Sequence, residues 1–135
     1  MSLPAYGQGS DVTLPGLRQS VATNRRRIPV APLNITGTGT GSAQTVVTAP
    51  EPSVSEIKYA TATNTTGTAA TLTIHVVASG ASAASGNMVL NTYNVPANTT
   101  LSLAGLFDLY LAPGNTVQVY SGTTGALNFA MGLET

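Results

Sequence analysis

Ala70-Thr-Leu-Thr-Ile-His-Val-Val77 alternates apolar and polar side chains with a period of two, the pattern of a half-buried β-strand and not of a helix. Leu72, Ile74 and Val76 fall on one face; Thr71, Thr73 and His75 fall on the other. Outward from this stretch the same alternation recurs in Ile57-Lys-Tyr-Ala-Thr61, Thr100-Leu-Ser-Leu103, Thr116-Val-Gln-Val-Tyr120 and Leu127-Asn-Phe-Ala-Met131. Residues 45–49, 88–95 and 106–111 complete a set of about eight strands. Turn chemistry separates them, at Asn64-Thr-Thr-Gly67, Ser79-Gly80, Ser85-Gly86, Pro96-Ala-Asn98 and Pro113-Gly-Asn115. Short strands at this spacing predict an all-β domain, an antiparallel β-sandwich or jelly roll. Ala112-Pro-Gly-Asn115 fits a type II turn, which splays its flanking strands and suits a crossing between sheets.

The chain has 135 residues, 42% of them hydrophobic, enough for one modest core. It contains no cysteine, which removes disulfides, thiolate metal sites and thiol nucleophiles. No stretch is apolar enough for a membrane span, and no signal peptide is legible at the first residues, so the expected protein is made without secretion. The core residues are mostly small, with Ala and Thr prominent, and the strands lack the charges that normally guard sheet edges. Both features point to burial against further copies, a homo-oligomer.

Net charge is zero, but it is unevenly placed. Residues 1–43 carry Arg18, Arg25, Arg26 and Arg27 against Asp11, a balance of +3, and the remainder carries Lys58 against Glu51, Glu56, Asp108 and Glu134, a balance of −3. Pro4, Pro15, Pro29 and Pro32 oppose an uninterrupted helix in the first part. Residues 1–43 therefore read as an extended basic N-terminal arm closed by a Gly/Thr hinge at Gly37-Thr-Gly-Thr-Gly41, and residues 44–135 as the β-sandwich domain. Within the arm, Arg18, Arg25, Arg26 and Arg27 are candidates for pairing with acidic groups of a partner, and Ile28, Val30, Leu33 and Ile35 for filling apolar grooves. An edge strand packed on the chain's own domain is the competing reading of those four apolar residues. Nucleic acid is disfavoured as a partner, because Tyr6 is the arm's only stacking ring and the arm contains no lysine.

Catalytic chemistry lacks parts. His75 is the only histidine, so neither a metal cluster nor a nucleophilic triad is suggested, and His75 reads as a surface or interface residue. Asp108 and Glu134 invite comparison with a glycosidase pair, but the ring of aromatics that grips a sugar is missing. The glycines after Thr36 are not followed by the Lys-Ser/Thr of a phosphate loop. Asn34-Ile-Thr36, Asn64-Thr-Thr66 and Asn98-Thr-Thr100 match a glycosylation acceptor but are discounted without a secretion signal. No enzyme activity, cofactor or metal is expected.

The order Asn64-Thr-Thr-Gly67, Val76-Val-Ala-Ser-Gly80, Val95-Pro-Ala-Asn-Thr-Thr-Leu101, Leu111-Ala-Pro-Gly-Asn-Thr-Val117 and Gly132-Leu-Glu134 resembles small β-sandwich virion structural proteins of tailed bacteriophages. The resemblance covers about residues 55–135. It implies a virion component made in the host cytoplasm, often trimeric, serving as a capsid decoration or cement protein or as a tail, baseplate or fibre-attachment module. The long basic arm favours the decoration role, with the major capsid protein or another virion protein as partner. The alternative is a tail module that binds another tail protein or a host glycan.

Overall fold

The computed structural model describes residues 26–135. Ten strands form two antiparallel sheets, with no α-helix among the described residues. In chain order they are β1 (Arg27–Ile28), β2 (Leu33–Asn34), β3 (Gln44–Thr48), β4 (Ser55–Asn64), β5 (Ala70–Val77), β6 (Met88–Val95), β7 (Thr100–Ser102), β8 (Tyr110–Leu111), β9 (Thr116–Ser121) and β10 (Leu127–Glu134). In the first sheet β10 lies between β4 and the short strands β1 and β2, while β7 and β8 pair with the other edge of β4. The second sheet runs β3-β9-β5-β6. Residues 106–111, read from the sequence as one strand, instead contribute to a 3₁₀ turn at Ala104–Leu106 and only two strand residues at β8.

The two sheets enclose one apolar core. Phe129 of β10 stands opposite Ala62 of β4, and Met131 opposite Ala60, so the small residues of β4 make room for the large ones of β10. Leu72 and Ile74 of β5 with Val117 and Val119 of β9 fill the facing layer. Asn64, at the end of β4, ties the layers together. Its buried amide donates to Val95 O of β6 at 3.0 Å and to Thr68 O at 2.8 Å, while its Oδ1 accepts from Thr66 N at 2.9 Å and Thr66 Oγ1 at 2.8 Å.

The N-terminal segment joins the domain earlier than residue 44. β1 and β2 both pair with β10, Ile35 N–H donates to Leu127 O at 2.9 Å, and Ile35 is fully buried in the chain's own core. Ile28, Val30 and Leu33 are half-buried against that core, so these residues follow the edge-strand reading. The Gly/Thr run is likewise a bonded turn and not an open hinge. Gln44 Oε1 accepts from the amides of Thr36 (2.7 Å) and Gly37 (3.0 Å), and Ser42 Oγ from those of Thr38 (3.0 Å) and Gly39 (3.1 Å). A side chain at Gly37 would run into the Ser42 carbonyl, which explains glycine there.

His75 departs most from its expected place. It lies on the outer face of β5 but is wholly buried, because residues 78–87 fold back across that face. The sheet edges, where only β1 brings a charge, Arg27, are managed by other means: β1, β2, β7 and β8 are two or three residues long, and β3 and β6 both carry register shifts. The Ala112–Asn115 turn has Gly114 at φ 82° and an Asn115 N–H bond to Ala112 O, and it carries the chain from β8 in one sheet to β9 in the other.

Two substitutions test this packing. Phe129→Ala is expected to cost about 3–5 kcal/mol, read as a lowered urea midpoint with little change in slope. Asn64→Ala, which removes the amide donor to the Val95 carbonyl inside the domain and to the Thr68 carbonyl at its margin, is expected to cost about 1–3 kcal/mol by the same measurement, whereas Asn34→Ala, at an exposed asparagine, should leave the midpoint nearly unchanged.

Candidate interaction surface at the β1–β10–β4 face

A hollow of about 600 Å³ opens at this end of the first sheet, lined by Arg27, Ile28, Pro29, Lys58, Tyr59, Gly132 and Leu133. Its origin is a bulge. Gly132 pairs with Tyr59 and Leu133 with Ile57, so Lys58 is the extra residue of β4. The bulge keeps Ile57 in the core and leaves two consecutive side chains, Lys58 and Tyr59, on the outside. Tyr59 is 48% exposed, and its ring lies directly against Gly132, where a Cβ would collide with it.

Beside the hollow, carboxylates gather around Lys58. Its Nζ is 3.7 Å from Glu56, 4.0 Å from Asp108 and 4.0 Å from Glu134. Glu56 and Glu134 are direct register partners across β4 and β10, a like-charge pair that the lysine between them offsets. Asp108 sits at φ 66° in the turn before β8, with its N–H bonded to Ile57 O. Tyr110, the register partner of Glu56 on β8, is 66% exposed. The structure thus brings together Asp108 and Glu134, the two carboxylates singled out from the sequence, but with Glu56 around the one ammonium group of Lys58.

His75 is sequestered from this surface. Its Nδ1 faces two acceptors, Ala84 O at 3.1 Å and Asn87 Oδ1 at 2.9 Å; Asn87 is oriented by donating to Ser82 O and accepting from Ala84 N–H. Nδ1 is therefore the protonated nitrogen, and the buried Nε2 has no hydrogen-bond partner. The ring packs near Tyr120, 5.8 Å between centroids. In this position the histidine holds segment 78–87 to the sheet. Among the described residues no three His, Cys, Asp or Glu side chains are grouped as metal ligands.

Of the arm residues marked from the sequence, Arg18 and Arg25 lie outside the described residues. Arg26 and Arg27 are exposed at the start of the first sheet, and Arg27 and Ile28 line the hollow. Val30 and Leu33 pack on the domain and Ile35 is internal. Lys58, Tyr59 and Gly132 were not marked. The signals were an isolated glycine inside a strand pattern and the unexpected adjacency of two outward residues, which only a bulge produces.

Compared with protein-family models, with curated proteins and with solved structures, the chain matches none.

Gly132→Ala is expected to push the Tyr59 ring off the sheet at a cost of about 1–3 kcal/mol, seen as altered tyrosine fluorescence and chemical shifts confined to the hollow. Gly132→Ala combined with Tyr59→Ala should recover most of that loss, because the atoms nearest a Cβ at Gly132 are those of the Tyr59 ring.

Proposed function

We propose that this chain is a structural component of a tailed-phage virion, a decoration protein that attaches its β-sandwich to the capsid shell. The observation that carries the reading is the anchoring of the basic strand β1 on β10. Arg26 and Thr135 exchange backbone hydrogen bonds at 3.2 and 2.8 Å, which presents the exposed Arg26 and Arg27 from a rigid sheet end. Guanidinium groups held this way suit bidentate pairing with carboxylates of a protein shell. The second sheet carries no Asp, Glu, Lys or Arg in any of its four strands, so no charge on those strands has to be desolvated when it packs against a shell or a neighbour. Many copies on one shell multiply individually weak contacts through high effective concentration. The order of turn motifs that resembles phage virion sandwiches supports the same assignment.

A tail-associated module is the second reading, favoured by one observation: the half-exposed Tyr59 ring, in a hollow that Arg27 also lines, offers a platform on which a host sugar can stack. Immunogold labelling of virions separates the two. Label on the head supports decoration, label on the tail supports the second reading, and particles without label overturn both. For the decoration role, the full chain carrying Arg26→Ala and Arg27→Ala is expected to bind empty shells at least about tenfold more weakly, with a shallower salt dependence than the unaltered chain. Equal binding by the two would remove the arginines from the attachment.

A further inference from the structure

The hollow beside β1 carries a charge that its own surroundings do not answer. Its lining holds two cations, Arg27 and Lys58, and no carboxylate. Lys58 is held by Glu56 at 3.7 Å and by Asp108 and Glu134 at 4.0 Å, whereas Arg27 makes no ion pair among the described residues. Even Glu134, which stands opposite Arg27 in the ladder, turns to Lys58 instead. An exposed guanidinium with its N–H donors at the rim of an apolar hollow is complementary to a carboxylate from outside the chain.

The backbone at the same spot is open as well. β1 is the outermost strand of the first sheet, with β10 on one side and, among the described residues, no strand on the other. Because Arg26 and Thr135 exchange both backbone hydrogen bonds, the next pair, Arg27 and Glu134, is the non-bonded pair of the antiparallel ladder. The N–H and C=O of Arg27 therefore face away from β10, toward the free edge. An extended peptide laid along that edge meets both groups by strand addition. Its apolar side chains enter the hollow of about 600 Å³ against Ile28, Pro29 and Leu133, with the half-exposed Tyr59 ring as the wall. A saccharide would set its hydroxyls against that apolar floor and leave the backbone edge unused, so a peptide is the better fit.

We infer that the free edge of β1 and the Tyr59 hollow form one docking site for an extended segment of the shell protein, in which a carboxylate side chain adjoins aliphatic or aromatic ones. Arg27 binds the carboxylate through its guanidinium and the segment's backbone through its own N–H and C=O. Tyr59, Ile28, Pro29 and Leu133 cover the apolar neighbours. The inference rests on the decoration reading for the source of the segment, and the chemistry of the site is tested apart from any virion.

The experiment is a nuclear magnetic resonance titration of the full chain with a capped pentapeptide, an aspartate between two leucines with a glycine at each end. It is expected to shift the amide resonances of Arg27, Lys58, Tyr59 and Gly132, to saturate with a Kd on the order of 0.1–1 mM, and to slow hydrogen exchange at the Arg27 amide. Asparagine in place of the peptide's aspartate, Arg27→Gln and Tyr59→Ala should each weaken binding at least about fivefold, and added salt should weaken the aspartate peptide alone. Equal binding of the aspartate and asparagine peptides, tighter binding of a lysine peptide, shifts confined to another surface, or an Arg27 amide that stays unprotected would each overturn the site. The two readings fail separately. Empty shells that bind the Tyr59→Ala chain as tightly as the unaltered one would overturn this site and leave decoration standing, whereas peptide binding by a chain that labels no virion would keep the site's chemistry and overturn the shell as its source.

Discussion

Everything in this molecule leans on the antiparallel pairing of β10 with β4. Eight register pairs join the two strands, and the interior of the sandwich is built on the alternation of Leu127, Phe129, Met131 and Leu133 along β10. On its other edge β10 holds β1 and β2, so among the described residues the last strand fixes the position of the first. The alanines at 60 and 62 are what make this possible: with larger residues there, Phe129 and Met131 could not enter the space between the sheets. A core that looks thin by composition is well filled because small and large residues stand opposite each other.

The interaction surface is a by-product of the same pairing. Near its end the ladder slips by one residue, and the slip exposes Lys58 and Tyr59 together while Ile57 stays inside. Lys58 then sits between Glu56 and Glu134, which the ladder forces into direct opposition, and Asp108 approaches from the turn before β8. Gly132 completes the site by having no side chain, which lets an aromatic ring rest on the strand. Chemistry concentrates at this end of the first sheet, and the second sheet is left uncharged and, on the outer face of β5, covered by the segment that His75 holds down.

Much of the strand pattern was legible because period-two alternation follows from backbone geometry alone. β5 spans Ala70–Val77 and β6 Met88–Val95, as their alternation and bounding turns indicate, and the Pro-Gly turn at residues 113–114 crosses between sheets as its type suggests. The strands β1 and β2 were legible only as one of two readings of the apolar residues Ile28, Val30, Leu33 and Ile35. Two residues carry no periodicity, and their pairing partner lies about a hundred positions later in the chain. The Gly/Thr run read as a hinge because its order comes from Gln44 and Ser42, side chains whose acceptor roles are invisible until the turn closes.

By itself the sequence determined the class of the protein: an all-β sandwich with an unusually uncharged body and its arginines gathered near one end. Local alternation, turn residues and composition suffice for that, since each acts within a few residues. Only the tertiary structure decided which apolar residues of the leader belong to the core, that His75 is internal, and that Lys58, Tyr59, Asp108, Gly132 and Glu134 share one surface. Those outcomes depend on register between strands far apart in the chain and on a single bulge, and register is set by the packing of the whole sandwich.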